Sequence, residues 1–209
     1  MYRFFKNIVN TVIIILAFVG VFSLYKQGTF ETISNKIGDI FSSDKEKVEA
    51  EVGDFSKVDK EFKIDTAVKV MGYKTVVAKH TSSGQKMIIV DSGKKPILTE
   101  HDITSETIKL KLEDLCKKFK YKSASVDNIE VVEKGYMTTY GQKVPYVKFK
   151  AKISHFPKKD VSGIVSVVDH DKENRRLILS LNDEKHYSQL VTSEFYRNVR
   201  ENPSANKVK

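Results

Sequence analysis

A lone cysteine, Cys116, stands in a chain of 209 residues, and no CxxC, HExxH, GxSxG, phosphate-binding loop or dinucleotide fingerprint occurs anywhere in it. With one thiol there can be no intramolecular disulfide, and any bridge would have to join two chains. Without those motifs, the common metalloprotease, serine hydrolase, nucleotide and dithiol chemistries lack their usual residue spacing. Histidine occurs five times, but never at a spacing that suggests a metal site. His170 lies between Asp169 and Asp171, and His101 between Glu100 and Asp102. Sequence neighbours share a metal only where a turn folds them together. DHDKEN (169–174) also lacks the glycine-bearing register of a calcium loop, so it reads as the solvated tip of a hairpin. His80, His155 and His186 stand apart, and Cys116 falls on the apolar stripe of a helical pattern, as a small core residue would. The expectation is a chain with no metal, no cofactor and no catalytic residue.

Charge is missing from one stretch altogether. Residues 8–25, IVNTVIIILAFVGVFSLY, would span roughly 27 Å as a helix at about 1.5 Å per residue. The flank has no small-x-small pair for signal-peptide cleavage, so the sequence predicts an uncleaved transmembrane signal anchor over 8–25. Arg3 and Lys6 precede it. By the positive-inside rule, residues 1–7 would then be a cytoplasmic tail and the bulk of the chain would lie outside the cytoplasm, single-pass, in a bacterial cell envelope.

Phe30, Ile33, Ile37 and Ile40 recur at helical spacing, and SSDKEKVEAEVGDFSK is charged and poor in large apolar groups. Residues 26–57 therefore read as an amphipathic helix and a charged stalk, 58–200 as an extracytoplasmic α+β domain, and 201–209 as a disordered tail. The net charge is +9, and its positive excess lies wholly beyond residue 55. Such an excess speaks about partners and not about fold. The expected partners are the lipid bilayer through residues 8–25 and, for the domain, an acidic protein surface, anionic lipid or a cell-wall polymer. Nucleic acid is not expected outside the cytoplasm.

Within the domain, YKTVVAKH and KMIIVDS read as two strands of a hairpin, and SETIKLKLEDLCKKFKY as a helix with Ser105 as N-cap and Ile108, Leu112, Leu115 and Phe119 on one stripe. NIEVVEKGY, KVPYVKFKAKI, GIVSVVDHD and RRLILSLND read as four consecutive strands, and QLVTSEFYRNVR as a closing helix. The fold class expected is thus α+β: an N-terminal transmembrane helix, then one domain with an antiparallel sheet in the order hairpin, helix, four-stranded meander, C-terminal helix. In KVPYVKFKAKI a period of two sends Val147, Phe149, Ala151 and Ile153 one way, and Lys148, Lys150 and Lys152 the other. The lysines form a row on what reads as the sheet's open face. Such a row either keeps a sheet soluble or, with Lys158, Lys159, Arg175 and Arg176 at nearby turns, forms a basic binding face.

Two stretches add a resemblance. GQKVPYVKFKAK is similar to a strand of the Mog1/PsbP-like family. The ending GIVSVVDHDKENRRLILSLNDEKHYSQLVTSEFYRNV resembles the family's ending through Gly163, Leu177, Leu179, Asn182, Tyr187, Phe195 and Val199. The likeness runs over residues 85–200 and rests on packing and turn residues. It implies an accessory or adaptor domain that docks on a larger assembly, as photosystem II oxygen-evolution subunits and the Ran-binding member do, and it implies no catalytic residue. The alternative is an NTF2-like scaffold subunit of a secretion or conjugation apparatus, in which a strongly bent sheet wraps around its helices.

Overall fold

Alternating apolar and polar residues from Phe62 onward fold into a single antiparallel sheet of seven strands. The structure is a computed structural model and describes residues 45–70, 73–94, 96–117, 125–154, 159–169 and 175–203. The strands are β1 (Phe62–Val70), β2 (Tyr73–His80), β3 (Lys86–Asp91), β4 (Ser125–Thr139), β5 (Gln142–Ser154), β6 (Lys159–Asp169) and β7 (Arg175–Asp183). They lie in the order β1-β2-β3-β7-β6-β5-β4, so the last strand in sequence joins the first three to the meander. β3 is buried at every position, as befits a central strand covered on both sides.

The helices divide between the two faces. Between β3 and β4 the chain forms α2 (Glu100–Thr104) and α3 (Ile108–Lys117). Their Ile103, Ile108, Leu112 and Cys116 pack on Val77, Ile88, Val147, Phe149, Ala151, Val165 and Leu179. On the opposite face lie α1 (Lys45–Val52) and α4 (Gln189–Asn198), the latter preceded by a 3-10 turn, Glu184–His186. Here Val48, Val52, Phe195, Tyr196 and Val199 meet Val76, Ala78, Met87, Ile89, Tyr146, Ile164 and Ile178. Tyr196 is fully buried, and its hydroxyl sits over the Ile88↔Leu179 pair of β3 and β7. It donates to the Leu179 carbonyl at 2.8 Å and accepts from the Ile88 N–H at 3.2 Å. A buried phenol is thereby satisfied at the centre of the sheet.

Local signals account for the helix boundaries. Thr99 and Asp102 form a reciprocal capping box that starts α2. Ser105, expected to cap a single longer helix, instead closes α2 in extended backbone, and its hydroxyl accepts from the Thr107 N–H at 3.1 Å before α3 begins. Lys134 of β4 donates to the carbonyls of Thr104 and Ser105, fastening that corner to the sheet.

The fold class expected from the sequence is corrected. Among the described residues no helix is long and apolar enough to cross a membrane, and the expected signal anchor over 8–25, with the tail before it, lies outside them. What the structure describes is an α+β arrangement on one seven-stranded antiparallel sheet. Three of these elements were not read from the sequence: β1, α1 within the expected stalk, and the short α2 ahead of Ser105. Residues 45–57 are part of the packed body, because Val48 and Val52 are buried in its core. Residues 204–209 of the expected tail also lie outside the described residues.

Gly163 sits where two strands and an aromatic ring leave no room for a side chain. A Cβ there would stand 2.5 Å from the Ser180 carbonyl and 2.9 Å from the Phe149 ring, with β5 and β7 on either side. Gly163→Ala is expected to cost about 1–3 kcal/mol, the usual price of overpacking, measured as a lower urea midpoint at unchanged m-value.

Candidate functional site

The lysine row lies on the α4 face of the sheet, which is covered at Lys148 and open at Lys152. Lys148 is half-buried; its Nζ donates to Gln189 Oε1 at 3.0 Å and stands 6.0 Å from the Tyr187 ring centre. Lys150 pairs with Glu184 of the 3-10 turn at 2.7 Å. That hydrogen bond, the Glu184 charge and the Glu130 charge raise its pKa above the ordinary lysine value. Lys152 is exposed. Across the strand pair, Glu133 of β4 lies opposite Lys148 and Glu130 opposite Lys150. Glu133 also accepts the Tyr146 hydroxyl, which in turn accepts from Gln189 Nε2 at 2.8 Å. The row is one rail of a cross-strand charge ladder.

The other residues of the expected basic face do not join it. Arg175 pairs with Asp169 at 2.9 Å. Arg176 shares the face of the row but is only 4 % exposed: its guanidinium grips Glu201 and stacks on Tyr140, 4.4 Å from the ring centre. Lys159 enters β6 opposite Ile153. Lys158, His155, His170 and Asp171 lie outside the described residues. No group of three potential metal ligands is found among the described residues.

A histidine constellation appears instead at the β2–β3 turn. His80 Nδ1 meets Ser83 Oγ at 2.9 Å and Nε2 meets Glu61 Oε2 at 2.9 Å. The distances are those of a base-oriented hydroxyl, but the groups serve the turn. Ser83 Oγ also accepts from the Gln85 N–H, the Gly84 N–H is bonded to the His80 carbonyl, and the imidazole packs on Phe62 with ring centres 4.9 Å apart. The backbone donors beside the hydroxyl are thus already engaged.

A cleft of about 440 Å³ opens between α1, the 53–61 turn and β1. Phe55, Val58, Phe62 and Ile64 line it and also pack on the α4-side core. Phe55 and Phe62 rest on Phe195 of α4, with ring centres 6.2 and 5.2 Å away. Glu46, Glu49, Asp54 and Asp59 supply carboxylates to the lining, against one lining cation, Lys60. Burial raises the Glu49 pKa, against the pull of Lys45. The Ser56 N–H lowers that of Asp54, donating to Oδ1 at 2.8 Å, and the Glu61 N–H donates to Asp59 Oδ1 at 2.8 Å. These are Asx turns, which fix the direction of both carboxylates.

The wall of the cleft is positioned from beneath. Tyr140 and Gly141 form the two-residue turn between β4 and β5, both at positive φ (50° and 77°). From there the buried Tyr140 hydroxyl donates to the Val52 carbonyl at the end of α1 at 2.9 Å. An isolated bridge, Asp54↔Arg200, ties the next residues to the C-terminal segment. Sequence reading missed this site because its residues sit in a stretch that looks like a stalk. The available signal was the pair Val48 and Val52, one helical turn apart, followed by Phe55 and Val58.

No protein-family model matches the chain, and no curated protein matches it.

Two outcomes follow from these contacts. Tyr140→Phe leaves the buried Val52 carbonyl without its donor and is expected to cost about 1–3 kcal/mol, with hydrogen exchange in α1 rising ahead of the rest of the sheet. Burial, with the Glu113 charge adding to it, pushes the Cys116 thiol up to about 12. Ellman's reagent at pH 8 should leave the native protein unlabelled over the time in which the urea-unfolded chain reacts fully, because the thiolate is the nucleophile.

Proposed function

We propose that the chain is a non-catalytic binding module that docks on a partner through the cleft beside α1. The observation that carries this reading is the make-up of the cleft: an apolar lining braced on Phe195 and a rim of carboxylates, in a chain whose net charge is +9. Concave sites with apolar walls and a few fixed polar groups are where ligands and peptide segments bind. The order of elements after β1, a hairpin, helices, a four-stranded meander and a closing helix, is the order behind the resemblance to the Mog1/PsbP-like fold. It supports an adaptor role by analogy of architecture. Helices on both faces of the sheet favour that analogy over the NTF2-like one, in which the sheet wraps around its helices.

An anionic partner at the lysine row would have to part Lys150 from Glu184 and Lys148 from Gln189, and would approach beside Glu130 and Glu133. In the cleft, Asp54 and Asp59 are engaged by backbone N–H groups, which a partner need not displace. A photo-crosslinking residue at position 56, on the cleft lining, should give a discrete crosslinked species in the native cells, while one at the exposed Leu110 of α3 on the other face should not. Crosslinking from position 110 alone, or none from position 56, would overturn the reading.

A further inference from the structure

We infer that the occupant of the cleft is a cationic stretch of polypeptide, lysine or arginine interleaved with apolar side chains. This rests on the docking reading above and names the chemistry of the partner. The lining's charge runs against the trend of the molecule and complements a cation. In a chain with 36 basic and 27 acidic residues, the cleft lining has four carboxylates and one cation.

The carboxylates are prepared for cations in two different ways. Asp54 and Asp59 are oriented by backbone N–H groups of their own turns, with the Ser56 side chain adding a hydrogen bond to Asp54. A carboxylate has about four lone-pair sites, so both keep accepting capacity while their direction is fixed in advance. That pre-organisation lowers the ordering cost of binding. Glu49 lies against the apolar lining and has lost part of its hydration. An ammonium or guanidinium group placed there offsets the hydration that burial has removed and favours the charged carboxylate.

Phe55, Val58, Phe62 and Ile64 give the neighbouring side chains an apolar surface to cover. A purely apolar occupant would strip water from Glu49, Asp54 and Asp59 without supplying a cation in return, which is costly. An anionic occupant would meet like charge. A bare metal ion has no triad of ligands among the described residues to hold it. A basic segment carrying apolar side chains satisfies both halves of the lining.

The test uses the full chain and three fluorescent dodecapeptides of alternating sequence, Lys-Leu, Glu-Leu and Gln-Leu, each with a terminal benzophenone. Anisotropy reports affinity and crosslinking reports position. The variant Glu49→Gln/Asp54→Asn/Asp59→Asn removes three charges but keeps side-chain acceptors for the Ser56 and Glu61 N–H groups, and circular dichroism checks its fold. The Lys-Leu peptide is expected to bind at low salt, to crosslink within α1 or residues 53–61, to weaken as salt rises, and to bind the variant at least tenfold less tightly. Equal affinity for chain and variant, or crosslinks elsewhere, would overturn the proposal. Should the Glu-Leu or Gln-Leu peptide occupy the cleft instead, the docking reading survives and the cationic partner is wrong. If none of the three crosslinks there, both fail.

Discussion

Both ends of the described chain depend on a cation buried beneath a tyrosine. Arg176 is held by Glu201 and by the face of Tyr140. Removing Glu201 would leave a buried guanidinium without its partner, which is far more damaging than losing a surface ion pair. The same Tyr140 gives its hydroxyl to the last turn of α1, and its backbone N–H donates to the Val199 carbonyl at 3.1 Å, just past α4. One residue, in the left-handed conformation that a two-residue hairpin turn demands, therefore ties α1, α4 and the C-terminal segment to the sheet. α1 has only eight residues, too few for a stable helix on its own. Its existence, and with it the wall of the cleft, depends on these tertiary contacts.

The distribution of ion pairs explains why a basic chain presents so little basic face. Lys74 lies between Glu51 and Asp91 at 3.3 Å from each, and Lys86 is buried against Asp65 at 2.6 Å. Lys134, Lys150, Arg175 and Arg176 also have carboxylate partners. These cations join strand to strand, as Lys86 and Arg175 do, or a helix or turn to the sheet, as Lys74, Lys134 and Lys150 do. At the cleft, by contrast, the carboxylates of Asp54 and Asp59 are held by backbone N–H groups. A backbone donor orients a carboxylate and leaves its formal charge in place, so negative charge persists there. Net charge describes the molecule from a distance and does not set the make-up of this one cleft, whose lining is richer in carboxylates than in cations.

The sequence was legible where one rule decided the outcome. Period-two alternation put Val147, Phe149, Ala151 and Ile153 on one face and the lysines on the other, and the core confirms that division. It could not tell which face a later helix would cover, because α4 reaches the lysines by a connection that alternation does not encode. Arg175 and Arg176 are adjacent, yet the same alternation assigns them to opposite faces; grouping them as turn residues hid that difference. β1 was missed because its pattern breaks at a bulge between Ile64 and Thr66, which shifts the apolar set by one residue. α1 was missed because KEKVEAEV offers only two large apolar residues, enough to pack against a sheet but too few to announce a helix.

The same bulge connects fold to site. β1 is an edge strand, and edges need protection against pairing with other chains. A bulged register twists β1 away from flat pairing, and Asp65 at the irregularity is drawn to Lys86 of β3. α1 then covers β1 and β2 on the α4 face, through Val48 and Val52, without closing over the start of β1. Phe62 and Ile64 line the gap that remains, and the 53–61 turn supplies its rim. The cleft is thus a consequence of protecting an edge strand with a helix of only two turns. A longer α1 would cover more apolar surface and leave less of the start of β1 open for a partner.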